Sequence, residues 1–142
     1  FVSILLVAAG VMALAGCAGP AGNSTYTLTG TNWTLVNLGE NSWVAPVPGA
    51  PTPAVQLTNG TMKVAGFAGV NRFTSEFTRR GSRLVFGPIV LTRMAGAPEL
   101  MDAERRFTAA LAGTTNYRIR ADHLELMTGE YILARFAPGP AN

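Results

Sequence analysis

The stretch GFAGVNRFTSEF, residues 66 to 77, decides how this chain is read. Its first half has the look of a loop, with Gly66 and Gly69 flanking Phe67 and Ala68. Its second half alternates with period two. Phe73, Ser75 and Phe77 fall on one face and Arg72, Thr74 and Glu76 on the other, the pattern of a half-buried strand. The glycines make neither a dinucleotide fingerprint nor a phosphate loop, and no Lys-Ser/Thr follows them. Gly66 and Gly69 are expected to supply positive-φ or bulge positions, and Asn71 to cap a turn with its side chain. The stretch reads as a crossover between strands.

Working outward, the same grammar recurs. Residues 33–38 (WTLVNL) are β-prone, with Trp33 and Leu35 on one face. Prolines at 46, 48, 51 and 53 make 40–53 a stiffened surface loop, because proline at that density cannot sit inside a sheet. Asn59-Gly60 between two alternating runs is a hairpin signal. Arg79-Arg80-Gly81 turns the chain into Ser82–Phe86, Gly87-Pro88 breaks it, and Ile89–Met94 is the next strand candidate. Residues 98–112 (PELMDAERRFTAALA) form the one convincing helix, with Pro98 at the first helical position and Gly113 expected at C′. Leu100, Ala103, Phe107, Ala110 and Leu111 make its apolar stripe. Strands at 117–120, 124–127 and 131–136 close the chain. The expected fold class is α+β: an antiparallel, barrel-like β-sheet of about eight short strands with one helix packed across it.

Of the 142 residues, 48% are hydrophobic and 13% charged, enough for a core and unlike a disordered chain. The formal charge is +3, and the eleven Lys and Arg are scattered instead of gathered into a stripe, which argues against nucleic-acid binding. Residues 1–16, FVSILLVAAGVMALAG, are uncharged and end in Leu14-Ala15-Gly16-Cys17. An apolar run meeting small residues reads as an export signal, and Leu-Ala-Gly-Cys is similar to the bacterial lipobox, where the Cys is acylated. The lone cysteine, Cys17, is then a lipidation site that anchors the protein to a membrane. No basic residue precedes the apolar run, so a longer leader is expected. Residues 17–30 read as lipidated Cys and flexible tether, 31–138 as the domain and 139–142 as a disordered tail. Ala18 after the Cys points to the outer membrane if the organism has one, and otherwise to the outer face of the cell membrane.

Several short motifs occur together and in order. They are Trp33-Thr34-Leu35, then Val64 through Phe73, Leu84-Val85-Phe86-Gly87-Pro88 and Thr92-Arg93-Met94-Ala95-Gly96. The helix Glu104…Phe107…Leu111 and the closing Leu124-Glu125-Leu126…Leu133-Ala134-Arg135-Phe136 complete the series. With them the chain resembles the META domain family, which includes a bacterial heat-shock lipoprotein. The resemblance implies an antiparallel barrel with a helix across one opening, no established enzymatic activity, and associations with stress response and envelope integrity. Bacterial members commonly read Gly-Cys-Asn and Met-Ala-Cys where this chain has Gly69-Val70-Asn71 and Met94-Ala95-Gly96. The resemblance therefore implies a paired cysteine arrangement that is replaced here by Val70 and Gly96.

The family-motif residues Gly66, Gly69, Asn71, Arg72, Phe73, Thr92 and Arg93 are expected to be architectural, with Arg72 or Arg93 pairing a helix carboxylate such as Glu104. His123 follows Asp122 in a turn, and no serine or thiol stands in a context that would make the pair catalytic. The residue set offers no cofactor or metal site. Phe73, Phe77, Phe86, Phe107 and Leu111 would line a groove for a lipid or apolar peptide, or else fill an ordinary core. The alternative is a scaffold that docks an envelope protein through loop 40–53, with Trp43 as its anchor; an enzyme is the remote third reading.

Overall fold

The structure is a computed structural model and describes residues 24–140. Ten strands and one helix follow in order: β1 (Asn32–Leu38), β2 (Asn41–Ser42), β3 (Ala54–Leu57), β4 (Lys63–Phe67), β5 (Arg72–Arg80), β6 (Arg83–Phe86), β7 (Val90–Leu91), α1 (Pro98–Ala112), β8 (Asn116–Arg120), β9 (His123–Thr128) and β10 (Tyr131–Pro138). Eight of the strands close a ring of antiparallel pairs, β1-β10-β9-β8-β6-β5-β4-β3 and back to β1, while β2 and β7 are short additions at its margins. The expected α+β barrel with one helix is what the chain forms. Closure removes sheet edges that would otherwise present unpaired backbone.

The alternation in residues 72–77 does what its period requires. Phe73, Ser75 and Phe77 are buried and Arg72, Thr74 and Glu76 exposed. Leu84, Leu124, Leu126, Phe136, Trp33 and Leu57 meet them inside, each fully buried. Phe107 of α1 sits among them, edge-to-face with Phe73 at 6.1 Å and with Phe136 at 6.2 Å. The five side chains proposed for a groove, Phe73, Phe77, Phe86, Phe107 and Leu111, are all core. The ring is weakest between β6 and β8, which share one register pair, Arg83 with Asn116.

Connections in an antiparallel ring alternate between its two ends. One end carries the turns 58–62, 81–82 and 121–122 and residues 24–31; the other carries 39–53, 68–71, the segment 87–115 with α1, and 129–130. The helix spans the residues expected of it. Gly113, expected at C′, is instead the C-cap residue itself, in a right-handed conformation with φ −83°. A Cβ there would lie 3.3 Å from the Ala109 carbonyl oxygen, so tight packing gives a second reason for glycine.

The β3–β4 hairpin expected at Asn59-Gly60 forms, with a connection of five residues and Met62 also at positive φ. The 89–94 candidate shrinks to Val90–Leu91, because Gly87 turns back to bond the Glu76 carbonyl at 2.8 Å and Ser75 Oγ donates to the Gly87 carbonyl at 3.0 Å. Contacts also extend to residues on either side of 31–138. Leu28 is buried and accepts the Trp33 indole N–H at 3.1 Å, Thr29 bridges Leu57, and Asn32 holds Gly139 and Pro140. Cys17 and residues 1–16 lie outside the described residues, as do 141 and 142.

Candidate functional site

The motif residues converge where the β4–β5 turn meets α1. Gly69, at φ +131°, brings the turn so close that a Cβ would lie 3.7 Å from the Glu104 Cβ. That approach lets Glu104 Oε2 accept the backbone N–H of Val70 at 3.0 Å and of Asn71 at 2.6 Å. Glu104 Oε1 accepts from Asn71 Nδ2 at 2.9 Å. Glu104 and Asn71 are 4% and 3% exposed, so these bonds form away from competing water.

Asn71 also holds the strand leaving β7. Its Oδ1 accepts the Met94 N–H at 2.7 Å and the Thr92 hydroxyl at 2.9 Å, and its Nδ2 donates to the Met94 carbonyl at 3.2 Å. The side-chain amide thereby imitates a neighbouring strand at a place where the sheet has none. One residue ties together the turn, the helix and the segment that leads into the helix.

Each sequence-predicted residue now has a place. Gly66 is an obligatory close approach and not a positive-φ position: a Cβ would fall 2.1 Å from the Ala54 carbonyl oxygen and 2.7 Å from the Phe73 ring. Thr92 is part of the cluster through its hydroxyl. Arg72 and Arg93 are exposed, and neither reaches a carboxylate within ion-pair distance among the described residues. The expected Arg–Glu104 pairing is therefore replaced by backbone and amide donors, which the Gly69 approach supplies. His123 lies at the other end of the barrel, its ring Nδ1 2.8 Å from the Ala121 carbonyl oxygen. Trp43 packs partly buried against the core, so it is not the exposed anchor expected of loop 40–53.

Beside the cluster lies an open cleft of about 730 Å³, between the β7 strand and the first half of α1. Ile89, Leu91, Met94 and Met101 give it apolar walls, with Asn71 and Glu104 at its base. Sequence reasoning missed the two methionines; their position after the break at Gly87-Pro88 and at the start of the helix was the available signal. It also missed an ion cluster on the outer wall. Glu125, 1% exposed, takes hydrogen bonds from Arg118 and Arg135, its register partners on β8 and β10. Burial works against ionisation of Glu125, but the two guanidinium groups outweigh it and hold the carboxyl below its ordinary value. Among the described residues no group of His, Cys, Asp and Glu could hold a metal ion, and no helix is long and apolar enough to cross a membrane.

Positions 70 and 96, where the resemblance implies paired cysteines, are side by side. A Cβ at Gly96 would lie 3.5 Å from Val70 Cβ and 2.7 Å from its Cγ2. The first distance is within the range that disulfides span. The second shows that valine already fills the space, so that one large and one absent side chain stand in for two of middle size.

Comparison with known proteins agrees with this architecture. A solution NMR structure of a protein from Burkholderia xenovorans superimposes with a TM-score of 0.63 at 24% identity, over 80% of this chain and 85% of that one. A second NMR structure matches with a TM-score of 0.57 at 20% identity, over 75% and 87%. At such identities the likeness is one of fold. No curated protein matches the chain. The META domain family model matches residues 26–138, a span that begins, as the packing does, ahead of β1. The chain belongs to the META domain family.

Proposed function

We propose that this is a non-enzymatic lipoprotein of the bacterial envelope, anchored through acyl chains on Cys17, whose domain captures an extended apolar peptide in the cleft between β7 and α1. The observation that carries the reading is the free margin of β7. Among the described residues the strand pairs only with β5, and Thr92 N–H donates to the Arg72 carbonyl at 3.0 Å. Since bonding alternates along an antiparallel pair, the N–H and C=O of Leu91 point away from β5, where no other strand among the described residues meets them. A peptide added there would gain main-chain hydrogen bonds and set alternate side chains against Ile89, Leu91, Met94 and Met101. Methionine walls adapt to varied occupants.

The same place supports binding over catalysis. Its one carboxylate already accepts three hydrogen bonds, and His123 is at the opposite end of the barrel. An acyl chain is the competing occupant, for it would use the walls and leave the Leu91 backbone unbonded. A docking role for loop 40–53 would rest on Val44, 78% exposed, in place of Trp43. A photo-crosslinking amino acid at Met94 in cells, with one at Thr58 as the remote control, tests the reading. Peptide adducts specific to position 94 support it. Lipid adducts there assign the cleft to acyl chains, and equal labelling at both positions removes the cleft from the account.

A further inference from the structure

The end of the barrel opposite α1 is basic, and the chain enters there. Arg79, Arg80 and Arg83 crowd the β5–β6 turn, where they line one surface recess with Thr78. Tyr117 N–H bonds the Ser82 carbonyl at 2.9 Å, which brings β8, with Arg120 near its tip, alongside the same turn. All four arginines are exposed, and none has a carboxylate within ion-pair distance among the described residues. The nearby Asp122 accepts the Ser24 hydroxyl at 3.0 Å and the Thr25 N–H at 3.1 Å.

Two features make this more than a solvated turn. Arg80 and Arg83 are direct register partners, and like charges placed opposite each other across a hairpin destabilise it. The hairpin thus carries a cost that an anionic partner would relieve. Beside it stand exposed apolar side chains, Met62 at 50% in the β3–β4 turn and Tyr26 at 40% in the entering segment. The 23 residues that precede Ser24, with their uncharged run at 1–16, join the domain at this end through the Ser24–Asp122 contact.

From this juxtaposition we infer that the basic end seats on an anionic lipid surface, with Arg79, Arg80, Arg83 and Arg120 over the phosphates and Tyr26 and Met62 at the headgroup boundary. Tyrosine favours that boundary, and each arginine near an anionic surface adds attraction that salt screens. The inference goes beyond anchoring at Cys17: it orients the domain, turning the β7–α1 cleft away from the membrane.

The test uses the full chain with vesicles of phosphatidylcholine alone and of equal parts phosphatidylcholine and phosphatidylglycerol. The unmodified protein is expected to favour the anionic vesicles. Arg80→Gln/Arg83→Gln lowers that preference by roughly tenfold or more. Arg105→Gln/Arg106→Gln, the same charge change at the helix end, leaves it within about twofold. Equal losses in the two variants, or no preference by the unmodified protein, overturn the inference. So does binding of soluble polyphosphate through Arg80 and Arg83 without vesicle preference. Partition onto neutral vesicles reports the N-terminal segment separately, so failure of anchoring and failure of this inference are distinct results. A check without mutation is phenylglyoxal labelling, which should fall at Arg80 and Arg83 on anionic vesicles and persist at Arg105 and Arg106. Undiminished labelling at Arg80 and Arg83 contradicts the seating.

Discussion

Asn71 Nδ2 donates to Glu104 Oε1 at 2.9 Å, and the Asn71 backbone N–H donates to Glu104 Oε2 at 2.6 Å, so one residue grips both oxygens of a buried carboxylate. Among the described residues no cation pairs with Glu104. Hydrogen bonds to a charged acceptor are the strong ones, and leaving a buried group unbonded costs more than the bond contributes. Asn71→Ala removes one donor from Glu104 and both contacts to Met94. A loss of about 3 kcal/mol is expected in urea denaturation. Asn71→Asp should lose more, because it places a second carboxylate within bonding distance of the first. An Asn71→Asp protein as stable as the parent would show that the cluster is incidental.

The adjacency of positions 70 and 96 predicts a bridge that this chain does not have. In a Cys17→Ser background, Val70→Cys/Gly96→Cys should oxidise to a disulfide, read as the loss of two hydrogen masses and of free thiol. The closed loop would stabilise by up to about 3–4 kcal/mol in the chain-entropy account, less any strain. Persistent free thiols under mild oxidant would contradict the geometry.

Two glycines should respond very differently to one methyl group. Gly66→Ala drives a Cβ into the Ala54 carbonyl oxygen and the Phe73 ring, so a strand pair or a core ring must shift. A loss of about 3 kcal/mol or more is expected. Gly60→Ala meets no atom within 4 Å and only the strain of φ +83°, for which about 1 kcal/mol is appropriate. Equal thermal shifts would remove the reason given for Gly66.

Acid should loosen the outer wall through Glu125. Its folded-state pKa is depressed, so its contribution is fully present above the unfolded value of about 4.5 and is lost as pH falls through the lower folded value. Glu125→Gln should therefore flatten the dependence of stability on pH in that window, below about 4.5, and leave its slope unchanged near neutrality. An unchanged acid limb in the variant would assign the effect to other carboxylates.

Much of the fold was legible because it depends on local signals. The alternation at 72–77 and the capped stripe at 98–112 are periodic patterns that the folded chain only has to obey. The site was harder to read. A sequence shows that Glu104 needs partners, and charge complementarity nominates arginines, but backbone N–H groups belong to every residue and leave no mark. Only the Gly69 approach, a tertiary fact, makes them the donors. Trp43 and Leu28 failed for a similar reason, since a single large apolar residue in a polar segment gives no periodicity. The Arg118–Glu125–Arg135 cluster depends on register between three strands, which alternation alone does not set.

The claim on which the rest depends is that Asn71 and Glu104 act together as the latch between turn and helix. The direct measurement is a double-mutant cycle in urea denaturation with Asn71→Ala, Glu104→Gln and the double variant. The two single losses should exceed the double by about 1 kcal/mol or more, the signature of a shared interaction. Additivity to within about 0.5 kcal/mol would mean that the two residues act independently, and the latch would have to be abandoned.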